Sequence, residues 1–463
     1  MEQFRSLEVK GAWSRFAAGL GFSVALLALL LLDCRPANAL PAFARKYGMP
    51  CSSCHEAWPK LSPFGQQFKD NGYQMGNDRD APIFQNPAYW PVTFRITPMW
   101  HRESTDKAQV DGSNGPSGNE AQITTHGFDW SGLDFHTAGT LAHNISFYVL
   151  PSADNTGAFH FEAVWARLDN LAGSPWLNIK LGKFELDNLL SEKRILTLSG
   201  VGGFYQNYHF QPFVMPGVTE GYTNGIGDNQ DGIEWLGHSK DDRTRVSASL
   251  LSSNDGNPGL PTSRTYDGFF AASRAFELGS LGLQRVGGFA YIGQASTYFQ
   301  YTNGGVGVPG TGIGNKGFQR YGLIGMWYLK KFDITTIYFR GHDSAWLGTN
   351  TAAVPGATLP TGAQAPSWNG GLFESHYNFN PHWIIINRYE LVRMSQQAFT
   401  SNPGNLGNLD VLTFGTRYYP FISSRAGFAY HGEYAIIWQK GASPVTFSNL
   451  TTSSLLFGFD FDF

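Results

Sequence analysis

Downstream of position 54 the chain has no cysteine, and upstream of position 51 it has one, Cys34. Three cysteines in 463 residues exclude a disulfide-stapled scaffold. They also leave too few thiols for a cysteine-rich zinc module. Charge of either sign is scarce. With 33 Lys and Arg against 36 Asp and Glu, the net charge is -3, and no basic patch suggests a nucleic-acid partner. Beyond the first 32 residues there is no uninterrupted apolar run of about 18 residues. Mean hydropathy is -0.23, which excludes a polytopic helical membrane protein.

The two remaining cysteines stand together as Cys51-Ser52-Ser53-Cys54-His55. This is C-x-x-C-H, the attachment spacing for a c-type haem, in which two thiols add to the vinyl groups. The adjacent histidine then offers its imidazole to the iron from one face. A thioredoxin-like C-x-x-C requires a βαβ context, and none follows. A structural zinc site requires a second ligand pair, and none is nearby. A Cys51–Cys54 disulfide remains open in an oxidising compartment.

Residues 1–39 read as a secretory signal. Arg5, Lys10 and Arg15 precede an apolar run from Ala17 to Leu32, and Ala37-Asn38-Ala39 forms a small-x-small cleavage site. Cleavage there removes Cys34. An exported chain with 55 glycines and 15% aromatic residues, in short alternating segments, points to an all-β fold. The expected form is a transmembrane antiparallel β-barrel of about 16 strands over residues 90–463.

The alternation is visible strand by strand. In "WLNIKLGKFEL", Leu177, Ile179 and Leu181 share one face, while Asn178, Lys180 and Gly182 share the other. In "LDVLTFGTRYYP", Leu412, Phe414 and Tyr418 oppose Thr413, Gly415 and Arg417. In "LLFGFDFDF", Phe457, Phe459, Phe461 and Phe463 oppose Asp460 and Asp462. The expected connections alternate in length. Short turns fall near residues 143, 172–175, 240–242, 278–283, 331, 380–382 and 421–424. Longer loops fall at 104–127, 187–230, 297–318 and 343–367. In such barrels the short turns face the periplasm, and an even strand count puts both barrel termini there. The glycine-rich run 304–317 lacks the βαβ setting of a dinucleotide fingerprint. "GDNQDGIEW" (227–235) begins on Gly227, where a calcium loop needs an acidic ligand.

Between motif and barrel, residues 40–89 are too few to bury a core alone. Ser62 and Pro63 predict a helix start, and Asn71-Gly72 its end. Phe64 and Phe68 would then share a face at i, i+4 and cover a haem. This segment is expected to plug the barrel lumen.

The run "PAFARKYGMPCSSCH…FGQQFKDNGYQM", followed by a large alternating barrel, resembles the fused monohaem cytochrome–porins of bacterial outer membranes. The close match covers Ala42 to about Met75, and the barrel matches in architecture alone. The terminal Phe463 resembles the sorting signal of outer-membrane barrels. The resemblance implies one covalent haem c on Cys51 and Cys54, with His55 as proximal ligand. It also implies single-electron transfer from an extracellular donor, such as Fe(II), to a periplasmic c-type cytochrome. Met75 is the first candidate for the sixth iron position, with Met99 and His101 as alternatives, and Arg45 and Lys46 are candidate partners of the propionates. The competing reading is a transport pore with a structural or sensory haem.

Covalent attachment has a direct check. In-gel haem staining after denaturation is expected to give a band in the wild type and none in Cys51→Ala/Cys54→Ala. A colourless wild type from a haem-maturing host would refute it.

Overall fold

A computed structural model describes residues 42–50, 53–57, 60–73, 75, 92–111, 118–142, 144–153, 156–186, 229–252, 266–296, 301–303, 306–308, 315–345, 365, 367–380, 382–394, 408–422, 427–441, 443, 446 and 448–462. The expected signal segment, Cys51 and most of the long loops lie outside these residues.

The sixteen barrel strands are Val92–Gln109 (β1), Glu120–Ala142 (β2), Ile145–Ala153 (β3), Phe159–Leu168 (β4), Asn178–Glu185 (β5), Asn229–His238 (β6), Thr244–Ser252 (β7) and Tyr266–Glu277 (β8), then Leu283–Ser296 (β9), Asn315–Leu329 (β10), Phe332–Asp343 (β11), Ser367–Asn380 (β12), Trp383–Met394 (β13), Leu409–Ile422 (β14), Gly427–Gln439 (β15) and Leu450–Asp462 (β16). Each pairs antiparallel with its sequence neighbour, and β16 pairs with β1 to close the ring. At that seam Phe457 lies opposite Trp100 and Asp462 opposite Arg95. Closure leaves no free edge, so each strand has a partner on both sides, as a lipid environment demands.

The side-chain period sorts the two faces. Phe457, Phe459, Phe414, Tyr418 and Leu181 are exposed on the outside. Their neighbours Asp460, Thr413, Arg417 and Lys180 are buried inside. Near the short turn between β12 and β13, Phe379 stacks on Trp383 at 4.9 Å, an aromatic patch suited to a membrane interface. The inner face is filled in part by its own ion pairs. Arg388 lies 3.0 Å from Glu390 and 3.6 Å from Glu374. Asp460 is shared by Arg95 at 3.4 Å and by Arg417 and His431 at 3.5 Å. Asp460 and Asp462 are therefore buried lumen-facing groups.

The expected 104–127 loop is mostly strand. β1 runs to Gln109 and β2 begins at Glu120, 23 residues before its end. The ladder continues there through polar residues, with Ser104 and Thr124 hydroxyls 2.9 Å apart and those of Thr105 and Thr452 3.1 Å apart. With water on both sides, a strand needs no apolar alternation, so the sequence carried no strand signal. In the expected 297–318 loop, Tyr301–Asn303 and Val306–Val308 form a small hairpin.

Short turns follow most even-numbered strands, as at 143–144, 239–243, 278–282, 330–331, 381–382 and 423–426, whereas the connection 154–158 after β3 is also short and 169–177 after β4 is longer. Labelling of single cysteines in intact cells is expected to reach Val110→Cys, in the β1–β2 loop, and to miss Asp241→Cys, in the β6–β7 turn. The reverse pattern would invert the topology.

Candidate functional site

The C-x-x-C-H segment folds against a short helix. Helix α1 (Ala42–Tyr47) precedes it and helix α2 (Pro63–Asp70) follows. Ser62 caps α2, accepting the Gly65 amide at 3.1 Å and donating its hydroxyl to the Ser53 carbonyl at 3.0 Å. Pro63 occupies the first turn and Asn71 the C-cap, followed by Gly72 at φ +80°. These ends agree with the residue types at both boundaries.

His55 pairs with Leu61 in a small hairpin, and the Cys54 carbonyl accepts the Ser62 amide at 2.8 Å. Gly65 sits on that same carbonyl. A β-carbon at Gly65 would lie 2.0 Å from the Cys54 oxygen, so only hydrogen fits. The glycine thus lets α2 close onto the haem-motif loop. Cys54 and His55 are both half-buried. Burial pushes the Cys54 thiol up to about 11, the opposite of the lowered value a reactive redox cysteine needs.

The two faces of α2 differ. Phe68 is buried, with Phe43 at 5.0 Å and Tyr47 at 5.7 Å, both edge-on. Phe64 remains 40% exposed. Phe64 and Phe68 stand one turn apart on α2 as expected, but only Phe68 is covered. Phe68 packs toward α1 and Tyr73, whereas Phe64 sits in the first turn, where α1 provides no cover. Met75 is half-buried and packs against the main hydrophobic cluster, as Phe43 and Tyr47 also do. Lys46 lies 5.0 Å from the Tyr47 ring. The Arg45 side chain lies outside the described residues. Met99 and His101 follow Arg95 along β1, opposite Gly458 and Leu456.

The barrel wall grips this segment. Arg167, at the end of β4, is 1% exposed. It bonds Asp169 at 2.6 Å and donates to the carbonyls of Lys69 at 2.9 Å and Asp70 at 3.2 Å. A guanidinium on the last carbonyls of α2 satisfies orphan acceptors and opposes the helix dipole. Asp70 pairs with Arg245 of β7 at 3.0 Å, and Lys69 with Glu185 of β5 at 3.5 Å. Tyr73 stacks on Trp165 of β4 at 6.1 Å. None of these wall residues was singled out from the sequence. Their only mark is an inward position on a strand, shared with many residues that touch nothing of the plug.

No protein-family model matches the chain, and no curated protein matches it. Similar solved structures include the anion-selective porin from Comamonas acidovorans, at 11% identity, TM-score 0.49, and coverage of 80% of this chain and 99% of that one. The outer-membrane expressed OmpT of Vibrio cholerae matches at 9% identity and TM-score 0.44 over 81% and 99%. The outer membrane channel DcaP of Acinetobacter baumannii matches at 9% and 0.43 over 82% and 99%. Likeness at this level adds nothing to the topology read directly from the strands.

The donor set fits a c-type haem. Cys54 and His55 are adjacent on one loop against the amphipathic helix α2, and a second cysteine lies three positions upstream. Removing one partner of a buried pair costs roughly 3–5 kcal/mol. Arg167→Met is therefore expected to lower the docked-to-released ratio of the plug on the order of 100-fold or more. Single-channel recording in planar bilayers should show frequent open events in the variant and few in the wild type. Equal conductance in both would mean that Arg167 does not hold the plug.

Proposed function

We propose that the chain is a bacterial outer-membrane electron conduit of the fused cytochrome–porin type, carrying one covalent haem c. What supports this reading is a C-x-x-C-H loop packed on helix α2, whose C-terminal end in turn meets Arg167, Glu185, Arg245 and Trp165 of the barrel. When bound, the haem supplies a one-electron Fe(III)/Fe(II) couple. Cys51 and Cys54 tether it, and His55 holds the iron from one side. The wall excludes lipid, and the plug denies the reductant free passage.

The hydrocarbon belt of such barrels is about 25 Å tall. A redox group held on the lumenal plug divides that distance. One electron leaves an extracellular donor, Fe(II) becoming Fe(III), and one oxidised periplasmic c-type cytochrome accepts it. The pore reading requires an open lumen, and α2, held by three wall strands, occupies part of that interior.

Proteoliposomes loaded with an electron acceptor test the proposal. External Fe(II) is expected to reduce the internal acceptor when wild-type haem protein is present, and at least tenfold more slowly with His55→Ala. Equal rates would mean that the barrel leaks reductant and is a pore.

A further inference from the structure

The outer face of the barrel carries a polar row that a lipid belt alone does not explain. Arg340 on β11 lies directly opposite Asn369 on β12, and Asn369 lies opposite Arg393 on β13. Both arginines are exposed. Their strand neighbours Phe339, Trp368 and Val392 are buried on the inner face, so the row points outward. Strands lie about 4.8 Å apart, which puts the two arginine backbones about 10 Å apart across β12. Both side chains can converge on one group above Asn369.

Strand length sets the depth of the row. At the opposite end of these strands Phe332, Phe379 and Trp383 are exposed beside the short turns. Eight residues separate Phe332 from Arg340, and ten separate Trp383 from Arg393. At about 3.4 Å per residue and a tilt of about 40°, the row stands about 21 to 26 Å further along the barrel axis. That matches a hydrocarbon belt about 25 Å tall. Between the two levels no outward position of these three strands carries a charge. Tyr321, Tyr338 and Tyr389, all exposed, lie beside and just below the row as an upper aromatic girdle. The row therefore sits at headgroup level, on the side of the long connections 344–366 and 395–408.

The donors are oriented. Arg393 donates to the Leu409 carbonyl at 2.8 Å and to both oxygens of Asp410 at 2.8 and 3.0 Å, so Asp410 meets part of its charge. Arg340 has no acceptor among the described residues. The Asn369 side-chain oxygen accepts the Tyr338 hydroxyl at 2.8 Å, which leaves its amide group as a donor. His342, also exposed, stands two residues above Arg340 on the same face. A guanidinium matches phosphate oxygens in a bidentate fork and keeps its charge. An anion that also carries acyl chains meets Leu323 and Phe373, 65% and 46% exposed, below the row.

Resting on the outer-membrane placement proposed above, and not on the haem, we infer that Arg340, Asn369 and Arg393 bind a phosphate of the glycolipid that forms the extracellular leaflet. The acyl chains lie along Tyr321, Leu323 and Phe373. Cations at a headgroup interface attract anionic lipid in this way.

The test titrates the purified full-length barrel in neutral detergent with deep-rough lipopolysaccharide and counts bound lipid by native mass spectrometry. Arg340→Gln breaks no described contact, and it is compared with wild type and with Arg340→Gln/Arg393→Gln. All three are first scored for folding by heat-modifiable gel mobility. Arg340→Gln is expected to bind about fivefold more weakly than wild type, and the double variant about tenfold or more. Dephosphorylated lipopolysaccharide should bind wild type no better than the double variant. Equal affinity in wild type and both variants would overturn the site. Equal affinity of wild type for phosphatidylglycerol would overturn the glycolipid assignment, and displacement of the lipid by millimolar inorganic phosphate would mark a free-anion site instead. Wild type that binds the glycolipid but carries no covalent haem would overturn the conduit proposal and leave this site standing.

Discussion

The structure depends on one constraint: inside a membrane, every backbone donor and acceptor must find a partner within the protein. A ring of antiparallel strands meets it only if the last strand bonds the first, and β16 pairs with β1 through nine matched positions from Thr452 to Asp462. Closure then forces the side-chain alternation. Residues facing lipid must be apolar, which fills the outside with Phe457, Phe459, Phe414 and Tyr418. The opposite positions face a shared interior, where charges such as Arg388, Glu374, Arg417 and Asp460 are tolerable because they pair across strands.

That interior solves a problem posed by the N-terminal segment. Residues 40–89 cannot build a core of ordinary size. Phe68, Phe43, Tyr47 and Tyr73 make a small aromatic cluster, and Trp165 of the wall extends it. The C-terminal end of α2, with its unsatisfied carbonyls, meets Arg167, whose burial is affordable because Asp169 pairs it. At the other end Gly65 lets the helix lie on Cys54. The plug is therefore a piece of fold completed by the barrel, which ties any redox group on it to the wall.

Much of this was legible in sequence because the physics is periodic or local. Strand positions follow a period of two imposed by lipid on one side, so all sixteen cores were readable inside the membrane. Where β1 and β2 rise into water on both faces, the period disappears and the strands went unread. Helix α2 was readable at both ends because Ser62, Pro63, Asn71 and Gly72 act through their own backbone neighbours. The C-x-x-C-H motif is local for the same reason.

Contacts between distant parts of the chain had no such signature. Phe64 and Phe68 lie one turn apart, yet only packing decided that Phe68 is covered and Phe64 is not. Asp460 alternates with phenylalanines in sequence, but only the fold shows its three partners on three other strands. The sequence by itself determined the barrel, its strand order, the boundaries of α2 and the C-x-x-C-H motif, since each arises from neighbours in the chain or from the solvent on either side. Only the tertiary structure decided that α2 meets Arg167, Glu185 and Arg245. Those juxtapositions depend on how a closed ring brings residues together that are about a hundred or more positions apart, which no local pattern encodes.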